Sequence, residues 1–216
     1  MKKTPDEVQN SKGIEQKLLE RIKLCKLPPP QRRSLPFECY WEDSILIQEQ
    51  KLIFSNQWLG LGRADRLETP GEYEVFELCG QALVLIRDQD KVLRLYANTC
   101  RHRGAKLLDG TGQCQAISCP FHGWTYTLDG NLKYAKTMSE NPNFDFSEHS
   151  LIEYKLKELQ GFLFAFLGNQ PTDLDTQLGN FSELHQPWPL NELITTRREV
   201  FEVQCNWKAF LDVFNE

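Results

Sequence analysis

The chain has 216 residues, with 25 Lys and Arg against 30 Asp and Glu, a net charge of -5. A protein of that sign has no general affinity for phosphate backbones, which argues against nucleic acid as a partner. At 40% hydrophobic and 25% charged residues the composition is that of a soluble globular protein, long enough to bury a core without disulfide staples. The lysines at the N-terminus have no apolar stretch behind them, so no secretory signal is expected. The longest apolar run in the C-terminal half, 162–167, is far too short to span a membrane. Seven cysteines with no export signal read as a cytoplasmic protein in which some thiols do chemistry, not as a disulfide framework.

Charge is uneven: residues 1–36 carry nine Lys/Arg against four Asp/Glu, and the rest is acidic. The basic part opens with a predicted helix, since Ile14, Leu18, Ile22 and Cys25 recur at spacings of four, four and three. Pro28-Pro29-Pro30 stops it. A second helix is expected from Asp43 or Ser44 to Phe54, either residue serving as cap. Strands are predicted at 73–78, 82–87 and 91–97, separated by Cys79-Gly80-Gln81 and Asp88-Gln89-Asp90. Asp129-Gly130 between 125–127 and 132–134 signals a hairpin. Two more strands are expected at 152–156 and 162–167. The fold class is therefore mainly β. An arm with helices covers 1–55, one antiparallel β domain covers 56–168, and 169–216 begins with a Pro- and Asn-rich connector reaching to 190.

Two short segments in the β domain carry the chemistry: Cys100-Arg101-His102-Arg103-Gly104 and Cys119-Pro120-Phe121-His122-Gly123-Trp124. Each pairs one thiolate with one imidazole and holds a Gly that permits a tight turn. Two such loops at one end of a β domain bring two Cys and two His together. A structural zinc is one occupant of such a set, though zinc sites usually place like ligands side by side. One Cys and one His from each loop suits a two-iron, two-sulfide cluster with both thiolates on one iron and both imidazoles on the other. Neutral imidazoles raise the potential, roughly to between -150 and +300 mV against about -400 mV for all-cysteine plant-type clusters.

At these residues the chain resembles the Rieske family. The resemblance implies that Cys100 and Cys119 bind one iron and His102 and His122 the other. Arg103, Gly104, Gly123 and Trp124 surround them, with Trp124 covering the cluster from solvent. Arg101 and Arg103 either raise the cluster potential or pair with nearby acids. The high-potential branch carries an extra Cys in each loop and a Ser after His-Gly. Here Phe121, Ala105 and Trp124 stand instead, so fewer hydrogen bonds reach sulfur and the low-potential type of oxygenases and their ferredoxins is implied.

The tail, Asn206-Trp207-Lys208 through Asp212 to Glu216, resembles the start of the iron-site helix in the large subunit of Rieske-type oxygenases. Asp212 and Glu216 match that helix's two acids and, four apart, share a face. The resemblance implies that Glu216 bridges electron transfer between subunits. It also implies a mononuclear Fe(II) whose His ligands lie beyond this chain. In the family the acid at the Glu216 position is usually Asp where aromatic rings are the substrate. It is often Glu in choline, carnitine and glycine-betaine oxygenases. The chain thus resembles the N-terminal part of an oxygenase large subunit, leading into a truncated α+β catalytic domain. The implied partners are a reductase or ferredoxin donor, dioxygen, a small organic substrate and two further copies in a homotrimer. A stand-alone ferredoxin-like carrier is the alternative. His149 and His185 read as solvated loop histidines. Trp58 reads as core, and Cys25, Cys39, Cys79 and Cys205 as buried or half-buried fillers. Asn206 is either near the catalytic iron or a helix cap.

Overall fold

The computed structural model describes residues 16–136, 138 and 140–214. It divides into two compact units: Gln50–Glu199, and the described parts of 1–49 with 200–216.

The larger unit is built on ten strands: β1 (Trp58–Arg63), β2 (Glu72–Leu78), β3 (Gln81–Arg87), β4 (Leu93–Ala97), β5 (Thr111–Gln113), β6 (Ile117–Ser118), β7 (Thr125–Tyr126), β8 (Leu132–Tyr134), β9 (Glu153–Leu159) and β10 (Phe162–Phe166). All pairings are antiparallel. Seven strands form one sheet in the order β1-β10-β9-β4-β3-β2-β5, and β6-β7-β8 form a second. The predicted strands are all present with edges moved by one to three residues. β1 and β5 went unread because Gly60, Gly62 and Gly112 break their apolar pattern, and β6 because it is only two residues long.

Strand β3 is the hinge of the packing, because successive side chains point to opposite faces. Leu83 and Leu85 enter a core with Leu95, Leu163 and Ala165. Val84 and Ile86 enter a second core with Tyr96, Ile117, Tyr126 and Leu132. That second core holds Cys100 and Cys119, so the two thiols are seated in apolar packing between the sheets. The hairpin at Asp129-Gly130 closes as expected, with the Thr127 N–H donating to Asn131 O at 2.9 Å. Gly130 has φ +85° and lies so close to the Tyr96 ring that a Cβ there would stand 2.7 Å from it. Only glycine meets both demands.

The stretch 169–190 is not a bare connector. Helices α4 (Leu174–Leu178) and α5 (Phe181–Leu184) form in it, and Leu174 is buried with Trp58 and Phe166. Asp173 caps α4 by accepting from Thr176 N at 2.9 Å, a signal present in the sequence but overshadowed by the surrounding Pro and Asn. Trp58 is core, as expected.

The smaller unit holds helix α1 over 16–23, α2 (Glu38–Trp41), α3 (Asp43–Leu52) but for its last three residues, and α6 (Trp207–Asp212). Ile14 of the first predicted helix lies outside the described residues. α3 ends two residues earlier than predicted, where the chain tightens into a 3-10 turn at Phe54–Asn56. Among the described residues no helix is long and apolar enough to cross a membrane.

Candidate metal centre

The two Cys/His loops fold to one design. In the first, the Cys100 N–H donates to Ala105 O at 2.8 Å and the Gly104 N–H returns to Cys100 O at 3.0 Å. In the second, the Cys119 N–H donates to Trp124 O at 2.7 Å and the Gly123 N–H returns to Cys119 O at 3.0 Å. Gly104 and Gly123 have φ of +72° and +71°, a backbone that disfavours any other residue. Each loop is thus a glycine-closed turn with its Cys at the base.

The turns bring all four predicted ligands to one end of the unit. The His102 and His122 rings meet edge to face with centroids 4.8 Å apart. Cys100 and Cys119 are 2% and 4% exposed, and their thiols are close enough to perturb one another. Burial, the largest cause, pushes the Cys100 thiol up. Burial also depresses His102, with the His122 ring and the Arg103 charge adding to the effect. Both Nδ1 atoms, of His102 and of His122, are buried without any hydrogen-bond partner among the described residues. A buried nitrogen lone pair left unused is uncommon in a folded protein. Among the described residues no three His, Cys, Asp or Glu side chains stand close enough to hold one metal ion, so the set does not fit a single zinc; two unused imidazole nitrogens and two buried thiols fit a cluster that takes each pair on its own iron.

The surroundings account for most of the predicted neighbours. Trp124 is 3% exposed and stacks on His102 with centroids 4.8 Å and planes 9° apart. Among the described residues neither Arg101 nor Arg103 takes part in an ion pair, so salt-bridge partnership is not their arrangement here. Phe121 is exposed and its ring lies 3.9 Å from that of His122. An open groove runs over the two imidazoles, bordered by Arg103, Phe121, Lys136 and Met138.

Three residues were misread or missed. His149 is not a solvated loop histidine: it stacks on Phe144 at 4.4 Å and meets the Trp124 ring edge to face at 5.6 Å. His185 is likewise packed, against Phe181. Tyr126 went unread. Its hydroxyl lies 3.4 Å from Cys100 Sγ and accepts from the Arg101 N–H at 3.0 Å. Burial first, then the bond to Cys100, raises the phenol far above its ordinary range. The signal was spacing: Tyr126 follows Trp124 by two where the second loop runs into β7, and both are buried.

In the smaller unit Asn206 is the cap of α6, its side chain accepting from Lys208 N at 3.1 Å. Asp212 ends that helix and accepts from the Tyr40 hydroxyl at 2.8 Å. Glu216 lies outside the described residues. Cys205 is exposed, against expectation, because it precedes the helix on an extended segment.

The comparisons with known proteins decide what this donor set belongs to. The Rieske [2Fe-2S] domain family matches residues 57–153. Residues 57–153 are a Rieske [2Fe-2S] domain. The match spans the two glycine-closed loops, the sheet between them and the hairpin beneath. Over 186 residues the chain is 33% identical to the carnitine monooxygenase oxygenase subunit of Acinetobacter baumannii, covering 85% of this chain and 50% of that protein. It is 29% identical over 181 residues to the glycine betaine monooxygenase oxygenase subunit of Chromohalobacter salexigens, covering 83% of this chain and 40% of the relative. A solved quaternary ammonium Rieske monooxygenase, described with insights into carnitine oxidation and inter-subunit electron transfer, superposes with a TM-score of 0.76 at 33% identity. That match covers 82% of this chain and 49% of that one. The chain therefore spans about half the length of the relatives it matches, and its likeness to them extends well beyond the Rieske domain.

Proposed function

We propose that this chain is the electron-accepting half of an oxygenase that hydroxylates a quaternary ammonium compound, with an aromatic acid as the other substrate class. The observation that carries it is the pairing of a complete two-Cys, two-His donor set with 33% identity to a carnitine monooxygenase oxygenase subunit over 85% of the chain. Cys100 and Cys119 would hold one iron, and His102 and His122 the other through their buried Nδ1 atoms. When bound, the cluster supplies a one-electron acceptor at a potential suited to a reductase or ferredoxin donor.

The chain's own residues set the conditions for that electron. The Tyr126 hydroxyl points at Cys100 Sγ and stabilises negative charge gathered there. Arg103 places a positive charge beside His102. Trp124 covers one face of the His102 ring, and both imidazoles border the groove, which would give a redox partner access to a cluster held there. The proposal includes a mononuclear Fe(II) on residues beyond this chain, with Glu216 linking His102 or His122 of one copy to the iron of the next in a cytoplasmic homotrimer. Dioxygen and the organic substrate would meet at that iron. A stand-alone electron carrier is disfavoured, since the likeness to oxygenase subunits runs outside the Rieske domain on both sides.

The test is to purify the protein from its native cell, assay iron and acid-labile sulfide, and record the paramagnetic spectrum after reduction. The reduced protein is then mixed with oxygen and carnitine, glycine betaine, choline or benzoate. Sulfide-bearing iron and reoxidation triggered by one of these compounds support the reading. Stoichiometric zinc without sulfide overturns the cluster. A cluster whose reoxidation ignores every compound, in a protein with no further iron, leaves the carrier.

A further inference from the structure

The smaller unit contains a buried ion pair that the electron-accepting site does not use. Lys208, in the first turn of α6, is almost wholly buried, and its Nζ lies 2.7 Å from Glu49 Oε2 on α3. The two side chains are 9% and 13% exposed. The same carboxylate oxygen accepts from Trp207 Nε1 at 2.9 Å. The ammonium also stands over two aromatic faces, Trp207 at 5.0 Å and Tyr40 at 5.9 Å. At the other end of α6, Asp212 Oδ2 accepts from the Tyr40 hydroxyl at 2.8 Å.

Lys208 and Asp212 are four apart, so they share one face of the helix. α6 has only six residues, too short to hold itself by its own hydrogen bonds. It is gripped at its first turn by α3 and at its last by α2. An apolar contact would bury the same face with less desolvation cost, but it would let the helix rotate or slide. A buried ion pair with directional hydrogen bonds is a poor source of stability and a good means of selecting one arrangement.

We propose that Glu49, Lys208, Tyr40 and Asp212 form a positioning clamp that fixes the rotation and register of α6, and with it the direction in which the chain leaves Asp212. The clamp rests on the oxygenase reading, in which this helix leads to the acceptor iron. Asp212 is then a positioning residue committed to Tyr40, not a redox participant.

The test compares Glu49→Gln, Lys208→Met, the double Glu49→Gln/Lys208→Met and Tyr40→Phe in the intact protein with both metals loaded. The readouts are the melting temperature, the cluster potential and the rate at which the pre-reduced cluster is reoxidised on mixing with oxygen and substrate. Each single charge variant leaves an unpaired buried group, so melting falls and reoxidation slows by about tenfold with the potential unchanged. The double variant removes the unpaired charge, while the amide oxygen now at position 49 still accepts from Trp207. Its melting recovers but its reoxidation stays slow. Recovery of the rate together with melting overturns the clamp, because it assigns the pair to stability alone. Where a single charge variant fails to fold, the double and Tyr40→Phe decide. Tyr40→Phe keeps the ring under Lys208 and removes only the bond to Asp212, and an unchanged reoxidation rate there overturns the role of Asp212. A wild-type protein whose cluster is never reoxidised in response to substrate refutes the oxygenase reading itself, an outcome distinct from variants that match a responsive wild type.

Discussion

The imidazole of His102 lies flat against the indole of Trp124, with centroids 4.8 Å and planes 9° apart. The two residues come from different loops, so the stack ties the loops together as well as covering one flank of the ligand set. His149 and Phe144 in turn meet the indole edge to face, with centroids 5.6 and 5.7 Å away. This layering gives Trp124 two roles, packing and exclusion of water. Trp124→Ala should cost about 3–5 kcal/mol of stability, as for other large aromatic truncations in cores. It should also bleach the cluster several-fold faster in air. A variant that melts and bleaches with the wild type would remove both roles.

The ligand assignment is tested directly. His102→Ala and His122→Ala each delete a buried Nδ1 that has no hydrogen-bond partner among the described residues. Each variant should fold, because the glycine-closed turns use backbone groups only, yet show no visible cluster spectrum and no Rieske-type paramagnetic signal. An intact spectrum in either variant refutes the assignment of that histidine.

Tyr126→Phe isolates one hydrogen bond, the 3.4 Å contact with Cys100 Sγ. The reduced cluster carries one more negative charge, and a donor at the thiolate stabilises that form more than the oxidised one. Removing the hydroxyl should therefore lower the reduction potential while the cluster stays bound. Redox titration followed by paramagnetic resonance reads the shift, and an unchanged or raised potential would show that the hydroxyl does not donate to sulfur.

How much of this was legible beforehand follows from what each feature depends on. The four ligands and Trp124 were readable because the loops are local: a Cys, a His and a Gly within five residues define the turn by themselves. The strands of the meander were readable because 82–87 and 162–167 are apolar enough to stand out in any context. Tyr126 and His149 were not read, because their roles arise from residues 26 and 25 positions away, Cys100 and Trp124. α4 was hidden for a similar reason. Its apolar anchor Leu174 has meaning only once Trp58, more than a hundred residues earlier, packs against it. The resemblance matched Asp212 to one of the two acids of the iron-site helix, but its bond with Tyr40, 172 residues away, was beyond any local pattern.

Asp88 offers a prediction about stability alone. It is 1% exposed in the turn between β3 and β4. Its Oδ1 accepts from the N–H groups of Asp90 at 2.9 Å and Val92 at 2.8 Å, and its Oδ2 accepts from Arg94 Nε at 2.7 Å. Burial, the largest single influence, opposes its charge. The bonds from Arg94 and the backbone together outweigh burial and hold the carboxyl below its ordinary range. A carboxyl depressed in the folded state contributes stability that is fully present above its unfolded value, about 3.9. That contribution begins to fall below about pH 4 and is gone only once the pH has dropped through the lower folded value. Asp88→Asn should cost about 2–3 kcal/mol at pH 7, the range for a lost charge-assisted bond. The gap between variant and wild type should close as the pH is lowered below about 4. Thermal melts from about pH 3 to about pH 8 read both effects. A gap that is absent at neutral pH, or that persists undiminished in acid, would show that the Asp88 charge does not hold the turn.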